Sequence, residues 1–352
     1  MDLIQTQNPD LVFSLWDTSY GSDINCWVDI IKPIADKIIA VIGNHDVMSS
    51  NLLDQNLEEF ELEKPYYSFD YQSIHVLVLD TQLELSVDTL ESTAIINDTT
   101  ADKQKKINEK KDKKDKNDQV NKKIEPLQER FPIVNLEDFL KQNSIDREIP
   151  KLDKLIESNA KVPALDVDEE QYQFVLDDLK KTSQNKDIDW IFVMMHKPMY
   201  SSISKQLEEY IIRDKYQNIF DKYDIDLVIQ GHNHIYTRTF LLSLNPSNIS
   251  QPVVDQIGNS NNTFTNPNGT IFLVVGTGGE ELHRIVKEPY YVANQYNKGF
   301  GFVDLKIDSK RLDGIFYDIN LNCKMEITEK KGREVIDLES CLPPLRAYPK
   351  NR

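Results

Sequence analysis

The sequence predicts a layered α/β (α+β) domain in which helices flank β-sheets, and three patterns support this prediction. Short apolar runs rich in β-branched residues recur along the chain at the length of strands. Some of them are separated by segments whose apolar residues follow helical spacing, and only strand-like runs appear after residue 226. Alternating strands and helices with a strand-rich end are typical of sheets covered by helices, not of a helical bundle.

Eight segments are predicted to be buried strands because each is short, apolar and bounded by turn-forming residues. These segments are residues 11–15, 38–42, 74–79, 190–195, 226–229, 271–275, 302–307 and 314–319. Two further segments are predicted to be amphipathic helices, because their apolar side chains recur at i, i+3, i+4 and i+7. The apolar positions are Tyr172, Val175, Leu176 and Leu179 in the first helix, and Ile212, Tyr216, Ile219, Phe220 and Tyr223 in the second.

A long polar segment, residues 82–167, interrupts this alternation. It has few apolar residues, no steady period and a Lys/Asp tract at residues 101–124. Such a composition is typical of a solvated, partly disordered segment. We therefore predict a domain formed by residues 1–81 and 168–320, a charged insertion at 82–167 and a C-terminal extension at 321–352. The insertion is interpreted as a tolerated surface loop, with a lid or a partner-binding tract as the alternative.

The charge of the chain limits its partners. The net charge is −17, and the tract at residues 101–124 holds ten lysines against five acids, or +5, so the remainder carries −17 − 5 = −22. A body of this charge repels phosphate backbones, so we do not expect nucleic acid as a partner. A small anionic substrate would require local positive charge, which a bound metal could supply.

The sequence contains no pattern for membrane insertion. No stretch approaches the roughly 18 apolar residues that a membrane-spanning helix needs, and residues 1–5 lack the basic and apolar regions of a signal peptide. We expect a soluble chain, secreted only if a signal peptide precedes Met1, with the compartment and the oligomeric state left open. Three scattered cysteines exclude a Cys-rich zinc site.

Three short histidine motifs each follow a predicted strand. They are Gly43-Asn44-His45-Asp46, His196-Lys197-Pro198 and Gly231-His232-Asn233-His234, and they hold four of the six histidines. Strand ends are where α/β sheets collect ligand-binding side chains. Imidazole nitrogens and an amide oxygen can bind metal, and an unliganded histidine beside a metal can donate a proton to a departing oxygen. The motifs favour a metal-dependent hydrolase, although a capping Asn44 and a buried, hydrogen-bonded His196 are the structural alternatives.

A carboxylate and a phenol follow the first predicted strand, in Trp16-Asp17-Thr18-Ser19-Tyr20. An aspartate at a strand end can bridge two cations with its two oxygens. A tyrosinate is a hard anionic donor that selects ferric iron over softer ions. Taken alone, the segment is also compatible with an exposed turn aspartate followed by a packing tyrosine.

The order of these motifs resembles that of the calcineurin-like metallophosphoesterase superfamily, and the Asp-x-x-Tyr element resembles its purple acid phosphatase branch. The segments at residues 64–70, 79–81, 196–200 and 276–279 are also typical of that family. The resemblance covers residues 1–81 and 168–320. It implies a metallophosphoesterase-type β-sandwich of two mixed sheets flanked by helices, here lacking its first strand.

The resemblance also implies the roles of the site residues. Asp17 would bridge two ions, Tyr20 and His234 would bind one of them, and Asn44, His196 and His232 would bind the other. His45 would contact the phosphate and assist departure of the leaving group. The implied cofactor is a dinuclear metal centre, Fe(III) with Zn, Fe or Mn. The implied activity is phosphoric-ester hydrolysis, in which a metal-activated hydroxide attacks phosphorus in line.

Three departures from the family pattern keep other functions open. The family's first strand ends in an aspartate that binds the same ion as Tyr20, whereas residues 1–4 are predicted to form the helix after that strand. Trp16 replaces a usual glycine, and residues 197–215 lack an additional histidine found in some members. The alternative is therefore a degenerate, non-catalytic member, truncated at its N-terminus, that binds metal or a phosphorylated ligand. A nuclease of the same fold and an unrelated zinc amidohydrolase are less favoured.

Overall fold

A computed structural model describes residues 2–15, 17–18, 24–82, 169–203, 207–248, 251–256, 263–265, 267–285, 288–319 and 324–330. The chain divides into two units, residues 1–82 with 171–352 and residues 83–170. Apart from residues 169 and 170, every described residue belongs to the first unit. The predicted insertion, except Gln82, lies outside the described residues.

The described helices are α1 (Asp2–Thr6), α2 (Asn25–Ile31), α3 (Ser50–Glu59), α4 (Glu169–Thr182) and α5 (Leu207–Lys222), with a 3-10 helix at Lys32–Lys37. The described strands are β1 (Val12–Ser14), β2 (Ile38–Ala40), β3 (Tyr67–Tyr71), β4 (Ile74–Leu79), β5 (Trp190–Met195), β6 (Leu227–Gln230), β7 (Tyr236–Thr239), β8 (Leu241–Ser243), β9 (Val253–Gln256), β10 (Thr263–Thr265), β11 (Ile271–Val275), β12 (Val292–Tyr296), β13 (Gly301–Ile307), β14 (Arg311–Asp318) and β15 (Lys324–Lys330). All eight predicted strands, both amphipathic helices and the helix near Met1 are confirmed. Among the helices described, none is both long enough and apolar enough to cross a membrane.

The strands form a mixed α/β architecture. The largest sheet has the order β12-β7-β11-β6-β5-β4-β3. Its central strands β11, β6, β5 and β4 are parallel, and β3, β7 and β12 pair antiparallel at the two sides. A second mixed sheet has the order β10-β15-β14-β13, and β1-β2 and β8-β9 form two smaller pairs. Strand β15 in the second sheet comes from the predicted C-terminal extension, whose other residues lie outside the described ranges.

The large sheet is covered on both faces, because side chains along a strand alternate between its two sides. Leu77 and Leu79 of β4 pack in a buried cluster with residues of α4 and α5. Val76 and Val78 of the same strand pack in a second cluster that includes Leu312 of the four-stranded sheet. Burial on both faces explains why the parallel strands read as continuous apolar runs.

The register of the parallel strands places their ends at one edge. Leu79 lies opposite Met195, Met195 opposite Gln230 and Gln230 opposite Val274. The residues that follow these strands, including His196 and Gly231, therefore emerge at the same edge of the sheet. This edge is the usual location of ligand sites in open α/β sheets.

A glutamine links the last residues before the insertion to the first helix after it. Asp80 follows β4, and its backbone N–H donates to Gln171 Oε1 at 2.7 Å. Gln171 Nε2 in turn donates to the carbonyl oxygen of Asp80 at 2.9 Å, and Gln171 is fully buried. This paired amide contact resembles one pair of hydrogen bonds in a β-ladder. It holds together the two chain segments that flank residues 83–168.

His75 lies buried between two carboxylates at the opposite end of β4. Its Nδ1 is 2.6 Å from Asp70 Oδ1, and its Nε2 is 2.7 Å from Asp178 Oδ2 on α4. Burial alone lowers the pKa of His75, but the hydrogen bonds to Asp178 and Asp70 outweigh burial, so the net direction is upward. The protonated imidazole thus joins the β3-β4 hairpin to α4.

We expect this contact to make stability depend on pH. Because folding raises the pKa of His75, its contribution to the free energy of unfolding is fully present below about pH 6.5, the unfolded value, and is lost as the pH rises through the folded pKa. Replacing His75 with Gln should cost about 1–2 kcal/mol at pH 5.5 and less at pH 8.5. Urea unfolding of both proteins at both pH values measures the difference, and an equal cost at both pH values would contradict the charged pairing.

Candidate metal centre

Side chains that follow four different strands converge at one place. Asp17 follows β1, Asn44 follows β2, His196 directly follows β5, and His232 follows β6. Strands β1 and β2 pair in parallel, with Ser14 opposite Ala40. Their following loops therefore leave in the same direction, as the loops after β5 and β6 do.

The ligand atoms of these four residues lie close together. Asn44 Oδ1 is 3.0 Å from His196 Nε2 and 2.9 Å from His232 Nδ1, and the two nitrogens are 3.3 Å apart. Asp17 Oδ2 is 3.4 Å from His196 Nε2. Ligand atoms bound to one ion at about 2.0–2.2 Å are separated by roughly 3 Å, so the spacing fits a single coordination site. Within the described ranges, Asp17, His196 and His232 are the one group of three acidic, cysteine or histidine ligands whose atoms lie within 4.8 Å of one another.

The hydrogen bonding of His196 fixes which nitrogen can bind metal. His196 is fully buried, and its Nδ1 is 2.7 Å from the carbonyl oxygen of Leu15. A carbonyl oxygen can only accept, so Nδ1 carries the proton and donates it. In the neutral form of the ring, the Nε2 lone pair then faces the oxygens of Asn44 and Asp17. Lone pairs that face one another repel, and a cation between them removes this repulsion. A backbone carbonyl that accepts the other ring N–H is typical of metal-binding histidines.

The turn after β6 brings His232 to the same point. Its backbone has a φ of 61°, in the left-handed region that side chains other than glycine seldom adopt. Burial of the ring, followed by its electrostatic interaction with His196, lowers the pKa of His232 to about 3. The ring is therefore neutral near pH 7, and Nδ1 can offer a lone pair.

Gly231 allows this turn to approach the carbonyl that holds His196. A Cβ atom at Gly231 would lie 2.7 Å from the Leu15 oxygen and 3.5 Å from His196 Nδ1. No side chain fits between them, which explains the glycine before the His-x-His pair.

Asp17 is held from its other side by the neighbouring motif. The backbone N–H of His45 donates to Asp17 Oδ1 at 2.9 Å. Burial raises the pKa of Asp17, but the hydrogen bond to His196 and the smaller effect of His45 oppose burial, and the net direction is downward. The carboxylate is therefore ionised near pH 7, as a metal ligand must be.

The sequence reasoning did not identify Asp46, which links the two motifs. Asp46 is fully buried, and Oδ2 accepts the N–H of Gly43 at 2.8 Å. Oδ1 accepts the N–H of Thr18 at 3.0 Å and the Thr18 hydroxyl at 2.5 Å. Burial raises the pKa of Asp46 despite these hydrogen bonds. The sequence signal for this hydrogen-bonding role was an acidic residue directly after Asn44-His45, in a turn between apolar segments.

The remaining predicted residues have different outcomes. His234 lies outside the group of atoms within 4.8 Å, and its Nδ1 lies 2.9 Å from the carbonyl oxygen of Glu281. The ring of His234 stacks on His283, a residue that sequence reasoning missed, with the centroids 4.2 Å apart. Burial lowers the pKa of His283. Tyr20 and Trp16 lie outside the described residues.

Comparison with known proteins identifies the family. A family model for calcineurin-like phosphoesterases matches residues 1–236. The chain belongs to the calcineurin-like phosphoesterase family. Its matched region contains Asp17, Asn44, His196, His232 and His234, so the predicted site residues lie inside the region that defines the family.

Curated relatives of this phosphoesterase confirm its resemblance to the purple acid phosphatase branch. It is 32% identical over 100 residues to an acid phosphatase of Aspergillus ficuum, covering 28% of this chain and 15% of the relative. It is 28% identical over 142 residues to the Fe(3+)-Zn(2+) purple acid phosphatase 12 of Arabidopsis thaliana, covering 39% and 29%. Acid phosphatase type 7 of Mus musculus is 25% identical over 154 residues, covering 40% and 33%. These matches thus span a third or less of each relative's length.

A solved structure shows the same fold. The purple acid phosphatase PPD1 from yellow lupin (Lupinus luteus) aligns with 94% of this chain and 48% of its own, with a TM-score of 0.57 at 17% identity. The mixed α/β fold with a large mixed sheet, implied by the family resemblance, is confirmed by this likeness and by the observed sheets.

Proposed function

We propose that this phosphoesterase is a metal-dependent phosphoric-ester hydrolase of the acid phosphatase type, with a dinuclear metal centre. The observation that carries the proposal is the convergence of Asp17, Asn44, His196 and His232 at strand ends, with His196 oriented by the Leu15 carbonyl. The donor set consists of two imidazoles, an amide oxygen and a carboxylate, which suits Zn, Fe or Mn.

A second ion, Fe(III), is proposed beside the first, bound by Asp17, Tyr20 and His234. Asp17 is suited to bridging because Oδ2 lies 3.4 Å from His196 Nε2, while the other oxygen, Oδ1, accepts the backbone N–H of His45 and keeps a further lone pair. The bound ions would generate a nucleophile from water and neutralise phosphate charge. They would also supply the positive charge that an acidic chain needs to attract a small phosphorylated substrate.

We assign His45 to the leaving group. The backbone N–H of His45 donates to Asp17 Oδ1, the proposed bridging carboxylate. His45 also directly follows Asn44, a proposed ligand, so its side chain starts next to both. A histidine in that position can hydrogen-bond a phosphate oxygen and donate a proton to the departing oxygen. Asp46 supports this arrangement by fixing both Gly43 and Thr18.

Reconstitution tests the proposed activity. The metal-free chain should not hydrolyse p-nitrophenyl phosphate, and addition of iron(III) with Zn²⁺ should restore turnover in step with metal bound per chain. The assay should be repeated with a diester, bis(p-nitrophenyl) phosphate, to determine the substrate class. Metal binding without hydrolysis of either ester would identify a non-catalytic binding member, and absence of both metal binding and hydrolysis would overturn the proposal.

A further inference from the structure

His283, in the loop after β11, makes three contacts with His234. The backbone N–H of His234 donates to His283 Nδ1 at 3.1 Å. The backbone N–H of His283 donates to the carbonyl oxygen of His234 at 3.0 Å. The two imidazole rings stack with their planes 21° apart. Asn297 Nδ2 donates to the carbonyl oxygen of His283 at 2.9 Å and so ties this loop to the end of β12.

These contacts determine where the protons of both rings lie. A backbone N–H can only donate, so His283 Nδ1 is the unprotonated, accepting nitrogen. The carbonyl oxygen of Glu281 can only accept, so His234 carries its proton on Nδ1. In the neutral form of His234, Nε2 is then the nitrogen with a lone pair.

The resulting arrangement repeats that of His196. His196 donates from Nδ1 to the Leu15 carbonyl at 2.7 Å, and His234 donates from Nδ1 to the Glu281 carbonyl at 2.9 Å. Both imidazoles are therefore oriented by a backbone carbonyl and offer Nε2. His234 differs from His196 in that a second imidazole, His283, packs on its ring and also accepts its backbone N–H.

We propose that His283 is a positioning residue for the second metal ion, because it holds the backbone and the ring of His234 in the orientation that metal binding requires, while the Glu281 carbonyl sets the tautomer. The inference rests on the proposed dinuclear centre. An ion with few protein ligands depends strongly on their being held in place before it binds, since each ligand that must be ordered lowers the affinity. The ring of His283 contacts His234, which is proposed as a ligand of the second ion, so its effect is expected at the second ion and not at the first.

Two substitutions distinguish the effect of the hydrogen bond that Nδ1 accepts from the effect of ring stacking. His283→Phe keeps an aromatic ring for stacking but removes the acceptor, while His283→Asn removes the ring but places Oδ1 near the position of Nδ1. Arg284→Ala, at an exposed position next in sequence, is the matched control. Each full-length chain is stripped of metal and dialysed against iron(III) citrate and Zn²⁺. Iron and zinc per chain are then measured, together with the visible tyrosinate-to-iron band.

The wild-type chain and Arg284→Ala should each bind one iron and one zinc. His283→Phe should weaken iron binding by about 10- to 100-fold and reduce the visible band, with zinc binding unchanged. His283→Asn should restore much of the iron affinity, and thermal unfolding of the metal-free chains should show that all variants fold.

Wild-type iron affinity in His283→Phe would overturn the inference, as would an equal loss of both metals, which would indicate only a structural role. A wild-type chain that binds zinc alone would overturn the second site and this inference, while the first site would stand. A wild-type chain that binds neither metal would overturn the proposed function itself.

Discussion

Replacing His196 with alanine is expected to abolish binding of the proposed first metal ion and to reduce the proposed phosphatase turnover about a thousandfold, equivalent to about 4 kcal/mol of transition-state stabilisation. The side chain supplies a nitrogen within 3.4 Å of both Asn44 Oδ1 and Asp17 Oδ2. Its loss leaves three proposed ligands at the first ion and also removes the imidazole N–H that donates to the carbonyl of Leu15. Zinc per chain after dialysis and the rate of p-nitrophenyl phosphate hydrolysis measure the two effects.

His196→Asn distinguishes loss of the metal-binding nitrogen, Nε2, from loss of the hydrogen bond to the Leu15 carbonyl. The asparagine Nδ2 can take the place of imidazole Nδ1 and donate to Leu15, but no atom reaches the position of Nε2. We expect this variant to unfold at nearly the wild-type temperature when metal-free and still to lose the first ion. If either variant bound zinc as tightly as the wild-type chain, the assignment of His196 as a ligand would fail.

Replacing Gly276 with alanine is expected to destabilise the chain by about 3 kcal/mol or more. Gly276 follows β11, and a Cβ atom there would lie 2.1 Å from the carbonyl oxygen and 2.7 Å from the carbonyl carbon of Asn233. Both atoms are backbone, so a side-chain rotation cannot relieve the clash. Asn233 stands between His232 and His234, and any shift that relieves the clash also moves the two imidazoles.

Gly278→Ala provides the matched control two residues later. A Cβ atom at Gly278 has no neighbour within 4 Å, so the change should alter stability by no more than about 0.5 kcal/mol. Urea unfolding of both metal-free variants measures the difference, and zinc affinity shows whether the His-x-His turn has moved. Equal stabilities for the two variants would contradict the close approach of Gly276 to Asn233.

The parallel strands could be predicted because burial on both faces leaves a continuous apolar run, as in Trp190–Met195. Strand β7 was missed for the opposite reason. Its four residues, Tyr-Thr-Arg-Thr, are all buried yet mostly polar. Their polar groups are satisfied by partners distant in sequence, such as Ser202 Oγ at 2.8 Å from Thr237 Oγ1. Sequence periodicity contains no information about such partners.

The same distinction explains which site residues were found. Asn44, His196 and His232 follow recognisable strands, so the sequence could place them together at strand ends, and their role as metal ligands stays a prediction. Asp46 and His283 act through hydrogen bonds to residues 28 and 49 positions away. For His283 the one available signal was that it and His75 are the histidines left outside the motifs.

The paired amide contact between Gln171 and Asp80 has a consequence for how this chain can vary. The contact holds together the two residues that flank the 83–168 segment. Hydrogen bonds outside that segment therefore offset the loss of chain entropy that bringing its two ends together requires. For a flexible connection whose two ends are closed in this way, doubling the length costs only about 0.6 kcal/mol. The fold of the described strands therefore places little constraint on the number of residues between these points, and the strand ends that carry the proposed metal ligands stay in register whatever that number is.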